Sequence, residues 1–136
     1  MSTELITVNE KDNLLRVAEI FENKKIHHIP VVDYKRLVGL ISKADFLFFK
    51  RGFKNDSYDE MLEKIRLKNY KVEDIMTQKL AILGPDDKLT IAIDVFKENL
   101  FHAIPIVNKS GELEGILTTW DIIFQLSEDK LVTKTY

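Results

Sequence analysis

The sequence predicts a mixed α/β fold of the α+β kind, built from two tandem repeats of strand–helix–strand–strand–helix. The first observation behind this is an internal match at an offset of 75 residues. Aligning Pro30 with Pro105 also pairs Leu5 with Leu80, Asp12 with Asp87, Leu14 with Leu89, Phe21 with Phe96, His27 with His102 and Val32 with Val107. The second is that one extra residue moves the offset to 76, which then pairs Leu37 with Leu113, Gly39 with Gly115 and Asp45 with Asp121. The third is periodicity: each copy shows one helical stripe flanked by short apolar runs at strand length.

The elements follow in order. A short apolar strand opens each copy, Leu5–Val8 and Leu80–Leu83. A helix comes next, with Leu14, Val17, Ala18 and Phe21, or Leu89, Ala92, Ile93 and Phe96, at i, i+3, i+4, i+7 as one buried stripe. Asn9 is a candidate N-cap with Asp12 at N3; in the second copy Pro85 suits N1, with Asp86 and Asp87 at the positive helix end. Two further strands, "IPVV" with "LVGLI" and "IPIV" with "LEGIL", are joined by polar turns at Asp33–Arg36 and Asn108–Glu112, the pattern of a hairpin. A last helix starts at Ser42 or Thr118.

Residues 1–49 form the first repeat, 50–71 a linker with a short helix, and 72–136 the second repeat. The linker helix is marked by a capping-box pattern at Ser57–Glu60 and an apolar stripe of Met61, Leu62 and Ile65. A sheet of about three strands cannot bury its own face. The two repeats are therefore expected to pack about an approximate two-fold axis as one module, leaving clefts where matched motifs approach.

The 136 residues are 45% apolar and 31% charged, the balance of a soluble globular protein. A net charge of −2 offers no basic excess for nucleic acid. Without cysteine there is no thiol chemistry or disulfide, and no run approaches the ~20 apolar residues that span a bilayer. No signal peptide opens the chain, so the expected location is cytoplasmic.

Both last helices open on the same pattern, "SKAD" (Ser42–Asp45) and "TTWD" (Thr118–Asp121). As [ST]-x-x-[DE] it reads as a capping box, hydroxyl and carboxylate satisfying free N–H groups. It is also compatible with a ligand. A helix N-terminus is an anion site, a hydroxyl donates to phosphate, and an Asp can accept both hydroxyls of a ribose. All three histidines, His27, His28 and His102, stand before the Ile-Pro strands. They are packed rings or phosphate contacts; adjacent on a strand, His27 and His28 point to opposite faces and make a poor metal pair. No P-loop, G-x-G-x-x-G, H-E-x-x-H or G-x-S-x-G is present.

Val72–Ile123, through "VEDIMT", "IPIVN" and "GILTTWD", closely resembles the CBS domain, named after cystathionine beta-synthase. Leu5–Leu47, through "IPVVD" and "GLISKAD", resembles a second one, so the chain resembles a stand-alone CBS pair, or Bateman module. Met1 falls opposite Met76, so the first four residues of the lead-in motif are missing from the first copy, as in a trimmed chain or one that starts within the motif. The resemblance implies a non-catalytic sensor, with no required cofactor and no metal, that binds an adenosine compound between the repeats: AMP, ADP, ATP, NAD or S-adenosylmethionine. It implies ribose contacts from Asp45 and Asp121 and phosphate contacts from Ser42 and Thr118. Adenine would lie against Ile6 and Thr7, or Ala81 and Ile82, near Ile29 or Ile104. His27, His28 and His102 stand where basic residues are common in nucleotide-binding members. Lys43 fits the cation often found after the Ser/Thr, whereas Thr119 and Ala103 do not. The resemblance further implies a homodimer and an effector on another polypeptide. The alternative is a structural or dimerisation module whose clefts bind nothing.

Overall fold

The structure, a computed structural model, describes residues 5–52, 60–99 and 102–128, with the backbone alone at 99, 126 and 128. These residues gather into two units, Ile6–Leu80 and, together with Leu5, the described residues from Ala81 onward. The first holds β1 (Val8–Asn9), α1 (Leu14–Asn23), β2 (His28–Asp33), β3 (Arg36–Ser42), α2 (Lys43–Arg51), α3 (Glu60–Lys68) and a 3-10 turn at Val72–Asp74. The second holds α4 (Leu89–Asn99), β4 (Ala103–Val107), β5 (Leu113–Thr118) and α5 (Thr119–Glu128). The mixed α/β class is as the sequence predicts.

Helix α1 buries Leu14, Val17, Ala18 and Phe21, the stripe its spacing predicts. Its start differs. The N-cap is Asn13, whose Oδ1 accepts from the N–H groups of Leu15 and Arg16 at 3.1 and 3.3 Å. Asn9 and Asp12 instead close a separate turn: the Asn9 N–H donates to Asp12 Oδ2 at 2.9 Å, and the Asp12 N–H to the Asn9 carbonyl at 3.0 Å. The second unit repeats this turn. The Gly84 N–H donates to Asp87 Oδ2 at 2.7 Å and the Asp87 N–H to the Gly84 carbonyl at 3.2 Å, while α4 starts only at Leu89. Pro85 thus lies in the turn and not at a helix N1. An Asp that captures an N–H three residues back fixes a turn of its own.

The opening strands are shorter than the sequence predicts. Val8 and Asn9 pair in parallel with Val31 and Val32, and Leu80–Leu83 shrinks to a single bridge between Leu83 and Ile106. The bridge uses the Leu83 N–H to the Pro105 carbonyl at 3.1 Å and the Val107 N–H to the Leu83 carbonyl at 2.8 Å. The next rung of a parallel ladder would need an N–H from Pro105, or from Pro30 in the first unit, and proline has none.

Each hairpin pairs its strands antiparallel, with a bulge between Val31 and Val32 and again between Ile106 and Val107, at equivalent positions. The first turn is the two residues Tyr34 and Lys35, with φ of 49° and 76°. That left-handed pair suits a tight hairpin but is taken here by two residues with Cβ atoms. In the second turn Gly111 carries the positive φ, 84°, and Asn108 Oδ1 accepts from the N–H groups of Ser110 and Glu112.

The cores repeat as well. The second is built on Leu83, Ala92, Phe96, Ile104, Ile106 and Ile122. Each has a counterpart at offset 75 or 76 in the first core: Val8, Val17, Phe21, Ile29, Val31 and Phe46. The first core adds Leu14, Ala18 and Ile41, and from beyond the repeat Leu67 of α3 and Val72. Leu67 is buried, whereas Met61, Leu62 and Ile65, read from sequence as the apolar stripe of this helix, are exposed. Ser57 of the capping-box pattern lies outside the described residues.

Residues 70–77 run over the first unit. The Leu14 N–H donates to the Tyr70 carbonyl, the Val72 N–H to Asp12 and the Glu73 N–H to Glu10. Leu40 and Thr77 exchange a pair of backbone bonds at 3.0 and 2.9 Å. Gly39 makes room for this crossing, since a Cβ there would stand 2.7 Å from Met76 Sδ and 3.2 Å from the Thr77 carbonyl oxygen. This cover explains why Leu14 is fully buried while its counterpart Leu89 is nearly half exposed.

Candidate functional site

In the first unit β3 runs directly into α2, and Ser42 at the junction is the N-cap. Its Oγ accepts from the Asp45 N–H at 3.0 Å. His28 faces Ser42 across the β2–β3 ladder, and the Lys43 N–H donates to the His27 carbonyl at 2.8 Å. His27, His28, Ser42, Lys43 and Asp45 therefore meet at one end of the unit. Ile6 and Thr7 precede β1, and because β1 and β2 are parallel they lie toward the same end. His27 and Asp45 are exposed, while His28 and Lys43 are half-buried.

The second unit assembles the equivalent set. Ala103 faces Thr118 across β4–β5, and the Thr119 N–H donates to the His102 carbonyl at 3.0 Å. Ala81 and Ile82 precede the Leu83 bridge, toward the Ala103 end of β4. His102 is exposed. Ile29 and Ile104 are wholly buried in their cores, so what they present at these ends is backbone.

The two ends differ in how their carboxylates are used. Thr118 Oγ1 accepts from the Asp121 N–H at 3.1 Å, and Asp121 Oδ2 accepts from the Thr118 N–H at 2.8 Å, a complete capping box. Among the described residues, the Asp45 side chain accepts no such bond, although its backbone N–H is held by Ser42. Asp45 instead lines an open groove of ≈ 470 Å³ with Phe48, Phe49, Gly52, Tyr70 and Ile75. An exposed carboxylate at a helix N-terminus can accept hydroxyl hydrogens, while the positive helix end attracts an anion.

Sequence reasoning missed two things here. The groove joins α2 to residues 70–75, a contact that strand and helix periodicity does not encode. Lys24 and Lys25, both exposed, precede the His27 end, and their signal was a Lys pair where the second copy reads Asn99 and Leu100. Among the described residues no three His, Asp or Glu side chains cluster as a metal site, and no helix is long and apolar enough to cross a membrane.

A duplicated strand–helix–strand–strand–helix unit, with a capped helix N-terminus beside the second strand in each copy, defines a tandem α/β module. The family model of the CBS domain matches residues 1–52 and 72–128, and the chain belongs to the CBS-domain family. It is 30% identical to the uncharacterized protein MJ1426 of Methanocaldococcus jannaschii, covering 87% of this chain and 83% of that one. The inosine-5'-monophosphate dehydrogenase of Korarchaeum cryptofilum is 25% identical over 91% of this chain, but the chain spans only 23% of that enzyme. Among solved structures, CBSX2 in complex with AMP superposes with a TM-score of 0.76 at 27% identity, over 93% of this chain and 90% of that one.

Proposed function

We propose that the protein is a non-catalytic regulatory module that binds an adenosine-containing ligand, with the His27–Asp45 end of the first unit taking its ribose and phosphate. The observation that carries this reading is the Asp45 carboxylate. It stands without an internal hydrogen bond among the described residues, one turn from Ser42 at the end of the unit where Lys43 bonds the His27 carbonyl. Asp45 accepts the ribose hydroxyls, the Ser42 hydroxyl and the positive end of α2 receive the phosphate, and Ile6 and Thr7 lie beside the base. AMP bound to CBSX2, a relative by fold and sequence, supports the ligand class. AMP, ADP and ATP lead over NAD and S-adenosylmethionine because Lys24, Lys25 and Lys43 gather cations near this end. At the equivalent end of the second unit, Asp121 already caps its own helix, so a ligand there must displace or share that bond. In this reading the protein acts in the cytoplasm as a homodimer, and binding shifts a conformational equilibrium that an effector protein reads.

A thermal-shift panel of AMP, ADP, ATP, NAD and S-adenosylmethionine tests the proposal. A ligand at a hundredfold excess over its dissociation constant adds roughly 2.7 kcal/mol of stability. The response is expected to vanish in Asp45→Ala. No shift with any compound at millimolar concentration would leave the ligand-free structural module as the reading.

A further inference from the structure

The groove beside α2 has a chemistry of its own. Asp45, Phe48, Phe49 and Gly52 follow one another at i, i+3, i+4 and i+7, so one side of α2 and its C-terminal cap make the first wall. Tyr70 and Ile75, from the segment that crosses the first unit, make the other, and between them lie ≈ 470 Å³ open to solvent. The Phe49 and Tyr70 rings meet edge to face, with centroids 5.0 Å apart and planes at 81°, which ties the two walls together. Phe48 is 74% exposed. Three aromatic rings thus line a space whose one charged lining residue, among the described residues, is Asp45. Lys50 of the same helix does not line the groove: its ammonium is held by Glu63 at 2.8 Å and lies over the Phe46 ring, 5.7 Å from the centroid.

We infer that this groove receives an arginine side chain from a basic segment of a partner protein. Charge complementarity selects the head group, since a cation is drawn both to the carboxylate and to the negative faces of aromatic rings. Geometry then favours arginine over lysine. A flat guanidinium is weakly hydrated, and it stacks on a ring while donating two N–H groups to one carboxylate; an ammonium is a strongly hydrated point charge. The methylene stem lies along the apolar remainder, Ile75 and the ring edges. Shape selects the carrier. Small-molecule sites bury most of their ligand, whereas a groove this open suits a side chain presented on another backbone. The inference rests on the proposed regulatory role in one respect, that the partner is the effector protein. In that reading Asp45 also takes the ribose, so nucleotide and arginine compete for one carboxylate and each weakens the other's binding.

An NMR titration of the isotope-labelled full chain, without nucleotide, tests it. The probe is acetyl-Gly-Arg-Gly-amide, and its citrulline and lysine counterparts are the controls; citrulline keeps the shape of arginine and removes the charge. Amide shifts are expected at residues 45–52 and 70–75, with citrulline binding about tenfold more weakly than arginine and lysine between the two. Asp45→Asn and Phe48→Leu should each weaken the arginine peptide by roughly fivefold or more, the rest of the spectrum confirming that both variants remain folded. No shift at these residues at tens of millimolar peptide, citrulline binding as well as arginine, or Asp45→Asn without effect would overturn the inference. Because nucleotide is absent, failure here leaves the thermal-shift result standing, and a flat thermal-shift panel leaves the arginine titration standing.

Discussion

Asp121 Oδ2 lies 2.8 Å from the backbone nitrogen of Thr118 and holds the first turn of α5 closed. Asp45, its repeat partner, makes no equivalent bond. One spelling of the motif thus serves as a helix clamp in one copy and leaves an open acceptor in the other. Asp121→Ala should therefore cost about 1 kcal/mol of stability, and Asp45→Ala less than about half of that, as an exposed substitution. Urea melts of the two variants without ligand would show the difference; equal losses would contradict it.

Tyr34 and Lys35 both occupy left-handed backbone, which costs a residue with a Cβ roughly 1 kcal/mol. Lys35→Gly should consequently stabilise the first unit by about 0.5–1 kcal/mol. The check is an upward shift of the urea midpoint with an unchanged slope.

Gly39→Ala should destabilise by about 1–3 kcal/mol through overpacking against Met76 and Thr77. Met76 has a flexible side chain and Thr77 meets the new methyl with backbone. The double variant with Met76→Ala should therefore recover part of the loss but not all of it. A double-mutant cycle with additive losses would show that the two sites do not touch.

The Lys11 ammonium is held above its usual pKa by its hydrogen bond to the Glu73 carboxylate and by that carboxylate's charge. A raised folded-state pKa gives a contribution that is complete below the unfolded value, near 10.4, and is lost as pH rises through the raised one. The Tm difference between the protein and Glu73→Gln should stay constant from neutral pH to about pH 10 and shrink above it. A difference that grows with alkaline pH would invert the assignment.

Much of the fold was legible because the duplication states everything twice. The stripe Leu14, Val17, Ala18 and Phe21 has one helical reading, and the Ile-Pro strands are bounded by clear turns. Helix starts were less legible, since Asn9, Asp12 and Asn13 each suit a cap and only the closed turn at Asn9–Asp12 separates them. The limit on the first strands was written in Pro30 and Pro105, but it takes effect only once the pairing is known. The grouping of Ser42, Asp45 and the histidines followed from the motif. The contrast between Asp45 and Asp121 did not, because hydrogen bonding by an identical pattern depends on backbone geometry.

Val72 is the first residue of a motif that sequence assigns to the second repeat, yet its side chain sits in the core of Ile6–Leu80. Anyone wishing to express the leading half alone should therefore carry it to Leu80. A fragment ending at Lys71 would forfeit the Val72 side chain, the backbone bonds to Glu10, Asp12 and Leu40, and the Lys11–Glu73 ion pair. The repeat and the compact unit are offset along the chain, so a boundary drawn from the repeat would remove a residue from a hydrophobic core.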